Sequence, residues 1–216
     1  MEEKKKLCGY YNYTVVLTYL GMLSGFTGIL LASEGAFRRA MLCLMVAGVC
    51  DMFDGAIAST MKRNEREKRF GIQIDSLSDL ICFGVLPAVF VYQICHKSYP
   101  AFFAACFYVL CALIRLAYFN VMEEERQRLE IGRRTEYLGL PVTTSALFLP
   151  LCFVLGSRMT SAFWGAAVFQ CLLVITGIAF LLPIPIKKPY LFGKIGIGVA
   201  GLAELAVLLM GMGLDV

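Results

Sequence analysis

The chain alternates long oily stretches with short polar ones. Apolar runs of bilayer-spanning length recur at Thr14–Ala32, Ala36–Met61, Ile72–Cys95, Tyr99–Val121, Leu140–Leu155, Phe163–Leu182 and Ile195–Gly213. A helix needs about 20 apolar residues to cross a hydrocarbon core. The pattern predicts an all-α integral membrane protein, a bundle of about seven transmembrane helices, with six and eight as close alternatives. Leu140–Leu155 is the shortest of the runs. No internal repeat or low-complexity linker breaks the pattern, so a single domain over residues 1–216 is expected.

Composition agrees with the pattern. Hydrophobic residues make up 59% of the 216 residues and charged residues only 17%, where a soluble domain carries about 25% charged. The few cations are placed unevenly. Lys4, Lys5 and Lys6 precede the first run, and Lys62, Arg63, Arg66, Lys68 and Arg69 follow the second. Arg126, Arg128, Arg133 and Arg134 follow the fourth, and Lys187, Lys188 and Lys194 follow the sixth. The alternate connections hold only Arg38, Arg39, Lys97 and Arg158. Lys and Arg favour the cytoplasmic side, so the N-terminus is expected inside a cytoplasmic membrane and the C-terminus outside. The net charge of +4 is therefore a topology signal. It suits anionic lipid headgroups and gives no reason to expect a nucleic-acid partner.

No cleavable signal peptide is expected, because the first run is long and lacks a small-residue cleavage site followed by polar sequence. The nine cysteines form no Cys-x-x-Cys pair, and most lie inside apolar runs as small hydrophobes. Asn12-Tyr13-Thr14 matches a glycosylation pattern but lies at the expected cytoplasmic end of the first helix. His96 falls in an expected outer turn. The glycines at 196, 198 and 201 suggest close helix packing, and Glu204 stands alone in the last apolar run.

Carboxylates near a bilayer are costly and mark function. Asp51 and Asp54 are three residues apart and share a face of the second helix. Asp75 and Asp79 are four apart and share a face of the third. A hairpin joins the two helices, so the four acids can meet near one membrane surface. Four such anions call for cations. Hard oxygen ligands favour Mg²⁺ or Mn²⁺, with Ca²⁺ also compatible, over zinc. Two ions about 3.5–4 Å apart would suit phosphoryl transfer. A divalent-cation channel or transporter is the non-enzymatic alternative. Gly55 directly follows Asp54 and Gly71 lies one turn before Asp75; each is open to two readings, ligand approach to bare backbone or close helix packing.

The string Asp51-x-x-Asp54-Gly55-x-x-Ala58, then Gly71-x-x-x-Asp75-x-x-x-Asp79, resembles the hallmark of the CDP-alcohol phosphotransferase family. That resemblance implies an integral membrane enzyme, a homodimer as a rule. It implies that two divalent ions, held by Asp51, Asp54, Asp75 and Asp79, serve transfer of a phosphatidyl group from a CDP-linked lipid to an alcohol with release of CMP. It further implies Asp79 as the general base on the acceptor hydroxyl, and Gly55, Ala58 and Gly71 beside the CDP-lipid. The chain departs from the pattern twice. Ser59 stands where the family has Arg, and the spacer Thr60–Phe70 is longer than usual. Lys62 and Arg63, one turn on, are candidates to replace the missing cation.

Further on, Asp75-Ser-Leu-Ser-Asp79-Leu-Ile-Cys-Phe83-Gly84-Val-Leu-Pro87-Ala88, Arg115-Leu-Ala-Tyr-Phe119-Asn120 and Gly139-Leu-Pro141-Val-Thr resemble the serine-accepting branch of the family. This implies CDP-diacylglycerol and L-serine as substrates. Sister branches taking glycerol 3-phosphate or an inositol phosphate are the alternative. Arg115, flanked by apolar residues, either snorkels to the interface or contacts an anion such as the serine carboxylate. Asn120 could add a polar contact. Arg133 and Arg134 have the same two readings, serine contact or solvated charge, and Glu123–Glu125 reads as a solvated helix end.

Overall fold

The computed structural model describes residues 9–128, 136–156, 162–187 and 201–210. Its elements are α1 Val16–Ser33, α2 Phe37–Ala58, α3 Glu65–Asp79, α4 Leu86–Ile94, α5 Tyr99–Arg128, α6 Ser145–Gly156 and α7 Ala162–Leu181, with α8 at Gly201–Met210. Apart from two three-residue strands the described chain is helical, an all-α membrane protein. Four helices are long and apolar enough to cross a membrane: Tyr13–Ser33, Phe37–Ala58, Glu65–Ile94 and Tyr99–Arg126. Val142–Leu155, Gly165–Leu181 and Gly201–Met210 are shorter apolar helices. Each apolar run of the sequence thus contains a helix.

Two boundaries differ from expectation, and for one reason: hydropathy marks where a helix is oily, not where it starts or ends. The third helix begins at Glu65, not Ile72. Asn64 caps it, its Oδ1 accepting from the Glu67 backbone N–H at 2.8 Å, while Glu67 accepts from the Asn64 N–H at 2.9 Å. Arg66, Lys68 and Arg69 are therefore helical, and the link from α2 is only residues 59–64. The fourth helix runs to Arg128, past the expected Val121. Its last turns carry a Glu123–Arg126 ion pair whose side chains are 15% and 24% exposed, so Glu123 is less solvated than a free helix end. Arg133, Arg134, Gly196 and Gly198 lie outside the described residues; Gly201 meets Leu147 of α6.

α3 and α4 form one rod with a widened π-helical turn, Leu80–Val85, between them. Pro87 explains part of it. Proline has no N–H, so the Phe83 carbonyl loses its α-helical donor. That carbonyl instead accepts from the Tyr108 hydroxyl at 2.9 Å and the Ser145 hydroxyl at 3.4 Å. The wide turn starts immediately after Asp79, so α5 and α6 both bear on where that aspartate ends up.

α1 closes on this rod through a stripe of small residues. An added Cβ at Gly21 would stand 3.1 Å from the Cys50 Cβ, and one at Gly28 would stand 2.8 Å from Leu86 and 3.0 Å from Cys43. At Gly25 it would collide with Cys82. Bare backbone there lets α1 lie close against α2 and the wide turn. On the far side, the buried Phe90 ring meets Phe37, Phe153 and Phe169 edge-on, with centroids 5.4, 5.6 and 6.1 Å away. Such pairs add about 0.5–1.5 kcal/mol each beyond their buried area. They lock α4 to α6 and α7 and to the start of α2. At the opposite end of the bundle Gly139, at φ +76 where a side chain would strain, tucks under the end of α7. It leads out of a short antiparallel ribbon in which Glu136, Tyr137 and Leu138 pair with Lys187, Ile186 and Pro185.

Replacing Gly25 by Ala should lower the thermal midpoint of the detergent-solubilised protein by a few degrees, as overpacking costs about 1–3 kcal/mol. Gly165→Ala, where an added methyl meets open space, should leave it unchanged or slightly higher. Circular dichroism on the two variants makes the comparison; equal midpoints would mean that α1 does not depend on its glycine face.

Candidate functional site

The four aspartates converge as their spacing requires. Asp51 and Asp54 occupy the last two turns of α2, and Asp75 and Asp79 the last two of α3. Asp51, Asp54 and Asp75 each offer a carboxylate oxygen, and these atoms lie within 4.8 Å of one another. Asp79 sits against Asp51, and Asp54 against Asp75. All four line one small cleft with Thr18 and Gly21 of α1, Cys50 of α2, Ser78 of α3, and Cys82 and Phe83 of the wide turn.

Among the described residues no Lys or Arg forms an ion pair with any of the four. Like charges this close cannot stay together unneutralised in a poorly hydrated site. The donor set is all hard oxygen, with helix-fixed spacing. It fits divalent Mg²⁺ or Mn²⁺, and Ca²⁺ by the same chemistry.

Neighbouring hydroxyls hold the carboxylates in place. The Thr18 hydroxyl donates to Asp54 Oδ2 at 3.3 Å, and the Gly55 backbone N–H also donates to Asp54. The Ser78 hydroxyl donates to the Thr18 carbonyl at 3.4 Å. Ser76, next to Asp75, donates its hydroxyl to Asn120 Oδ1 at 2.7 Å. Thr18, Ser76 and Ser78 were absent from the sequence-derived site. Ser76 and Ser78 could have been found from their places between the two aspartates. Thr18 lies 36 residues from Asp54 in an apolar run and carries no such signal.

The other expected site residues among those described have the following surroundings. A Cβ at Gly55 would meet nothing within 4 Å, so the space beside Asp54 is open to a ligand; a Cβ at Gly71 would stand 2.9 Å from an Arg63 guanidinium nitrogen. Ala58 ends α2. Ser59 is exposed and its hydroxyl donates back to the Ala56 carbonyl at 2.6 Å, closing the helix. Lys62 is exposed and Arg63 half-buried. Asn120 reaches the cluster through Ser76. Arg115 is 6% exposed, with its guanidinium toward the Gly139 and Leu140 carbonyls at 3.5 and 3.4 Å and over the Phe119 ring. It therefore braces the Gly139–Pro141 turn rather than snorkelling outward.

The N-terminal segment reaches the same end of the bundle. Asn12 caps the turn Tyr13–Val15, its Oδ1 accepting from the Thr14 N–H at 3.1 Å. The Tyr13 hydroxyl hydrogen-bonds Thr60 Oγ1 at 2.9 Å, and the Tyr10 ring meets Phe70 edge-on.

Fold and site together define a helical membrane protein with a carboxylate cluster between two of its helices. The chain belongs to the CDP-alcohol phosphatidyltransferase family, whose model matches residues 11–182. It is similar to the archaetidylserine synthase of Methanothermobacter thermautotrophicus, 30% identical over 76% of this chain and 67% of the relative. It is also similar to the CDP-diacylglycerol–serine O-phosphatidyltransferases of Mycobacterium leprae, 31% identical over 80% of this chain and 57% of the relative, and of Saccharomyces cerevisiae, 31% identical over 62% and 52%. The chain thus spans little more than half the length of the mycobacterial and yeast relatives.

Thr18→Ala should weaken Mn²⁺ binding about tenfold, the usual cost of removing a hydrogen bond that orients a metal-binding carboxylate. Thr18→Ser should retain it. Calorimetric titration of the purified variants with Mn²⁺ reads both, and undiminished binding by Thr18→Ala would remove Thr18 from the site.

Proposed function

We propose that this chain transfers a phosphatidyl group from CDP-diacylglycerol to L-serine, giving phosphatidylserine and CMP, as one catalytic unit in the cytoplasmic membrane. The observation that carries it is the meeting of Asp51, Asp54, Asp75 and Asp79 in one cleft with no partner cation among the described residues. Family membership supplies the reaction class, and the names of the relatives, all carrying serine, support the acceptor.

The basic segments flanking the cluster put it, by the asymmetry of Lys and Arg, on the cytoplasmic side with the N-terminus, where serine is dissolved. The apolar outer faces of the helices give the donor's acyl chains a lipid-like surface. Its phosphates enter at the open backbone beside Gly55 and Ala58. Two divalent cations, Mg²⁺ or Mn²⁺, held by the four aspartates would neutralise the pyrophosphate and the charge left on CMP.

The chain's own residues do the rest. Asp79, in the cleft against Asp51, takes the proton of the serine hydroxyl. The serine oxygen then bonds to the lipid-side phosphorus as the bond from that phosphorus to the CMP oxygen breaks. A carboxylate is a weak base for an alcohol, so most of the rate comes from holding the two substrates in line. Asn120, its Oδ1 occupied by Ser76, has amide N–H groups to offer the serine carboxylate, Arg133 and Arg134 are the candidate cations for it, and Arg115 contributes by bracing the Gly139–Pro141 turn. By the family's habit the working form is a homodimer.

The test is purified protein with CDP-diacylglycerol, Mn²⁺ or Mg²⁺, and labelled L-serine, glycerol 3-phosphate or inositol phosphate. Serine should give labelled lipid and stoichiometric CMP, and Asp79→Asn should lower kcat by at least about 100-fold. CMP release with glycerol 3-phosphate but not serine would reassign the acceptor. Metal flux in liposomes without CMP release would replace the enzyme by a transporter.

A further inference from the structure

The link between the two aspartate-bearing helices is short and fastened at both ends. At its start, Ser59 and Thr60 hydroxyls bind the Ala56 and Ile57 carbonyls, and Thr60 also bonds Tyr13. At its end, Asn64 is fixed by its reciprocal cap with Glu67. Between these anchors lies Arg63. Its guanidinium rests where the side chain of residue 71 would be, 2.9 Å from a Cβ built on Gly71. Gly71 and Asp75 are four residues apart on α3, so the notch at Gly71 is on the same helix face as Asp75, about one turn (about 5.4 Å) before it. Arg63 is half-buried, yet among the described residues it has no carboxylate or hydrogen-bond partner. Lys62 beside it is exposed, and Lys68 is paired with Glu65 at 2.8 Å.

A half-buried guanidinium with no such partner among the described residues, seated over a glycine one helical turn before an aspartate of the cluster, is a docking point for an anion. We infer that Arg63, seated in the notch left by Gly71, binds the pyrophosphate of the CDP-linked donor and does the work of the arginine absent at Ser59. This rests on the proposed function and adds which cation holds the donor. The inference also gives Gly71 its reason: the missing side chain makes room for Arg63 rather than for the ligand itself. The longer spacer contributes too. It includes the first turns of α3 and the Asn64 cap that directly follows Arg63.

The experiment uses the full-length protein in nanodiscs with Mn²⁺, reading CDP affinity by calorimetry and kinetics with CDP-diacylglycerol. Losing a charge-assisted bond to phosphate should weaken CDP binding and raise KM for the donor about 10- to 100-fold in Arg63→Ala, with KM for serine unchanged. Lys68→Ala should behave as the native protein. Gly71→Ala should reproduce the defect, and in the Arg63→Ala background it should add little, because both act through one contact. Ser59→Arg in the Arg63→Ala background should recover part of the CDP affinity. Native CDP affinity in Arg63→Ala, a larger loss in Lys62→Ala, or independent additive losses from Arg63 and Gly71 would each overturn the inference while leaving the transferase reading intact. Failure of the native protein to bind CDP would overturn both.

Discussion

Everything in this structure is arranged around the repulsion among four carboxylates. At an effective dielectric of about 20, two bare charges under 5 Å apart oppose each other by about 3–4 kcal/mol, and this cleft contains several such pairs. Helix geometry alone brings Asp51 to Asp54 and Asp75 to Asp79. Bringing the two pairs together takes tertiary packing that can withstand that repulsion until cations enter. Close helix packing meets that demand. α1 approaches through Gly21, Gly25 and Gly28, and α2 approaches α6 so closely that a Cβ on Gly48 would stand 2.8 Å from the Ala146 Cβ.

The same logic explains the wide turn after Asp79. A regular helix through Pro87 would leave the Phe83 carbonyl without a donor in a dry core, which costs about 1–3 kcal/mol. Tyr108 and Ser145 supply two hydroxyls. They also tie the turn that follows Asp79 to two more helices, so Asp79 is fixed from a direction that the α2–α3 hairpin does not control. Thr18 adds a hydrogen bond to Asp54 from α1.

Much of this was legible in the sequence because it is local. Residues three and four apart share a helix face wherever the helix packs, so the aspartate pairs needed no structure. Apolar runs located the helices for the same reason. What stayed hidden depends on contacts distant in sequence. Thr18 reads as one more residue of an apolar run until α1 folds beside α2. Arg115 reads as a snorkelling or anion-binding cation until the Gly139–Pro141 turn arrives to accept from it. The start of α3 was missed although Asn64-x-x-Glu67 spells a capping box. Hydropathy is blind to a polar helical turn, and the basic residues there suggested a loop. Glycines drew attention near the C-terminal end, whereas the tightest helix contacts use those of α1.

The surroundings of the cluster also bear on the acceptor. A phosphorylated alcohol brings close to two negative charges, which would need cations beyond those that bind the donor. Beyond the aspartates themselves, the Ser76 hydroxyl beside Asp75 meets Asn120, and both groups are neutral. The buried cation nearest in sequence, Arg115, is turned to backbone carbonyls. Arg63 is seated beside Gly71, one turn before Asp75, where the donor is proposed to bind. A zwitterion asks less of such a site. Its carboxylate takes amide donors, and its ammonium group is drawn by the negative field of the aspartates rather than expelled by it. Under the proposed function, a net-neutral amino alcohol therefore asks for fewer additional cations than a phosphorylated one.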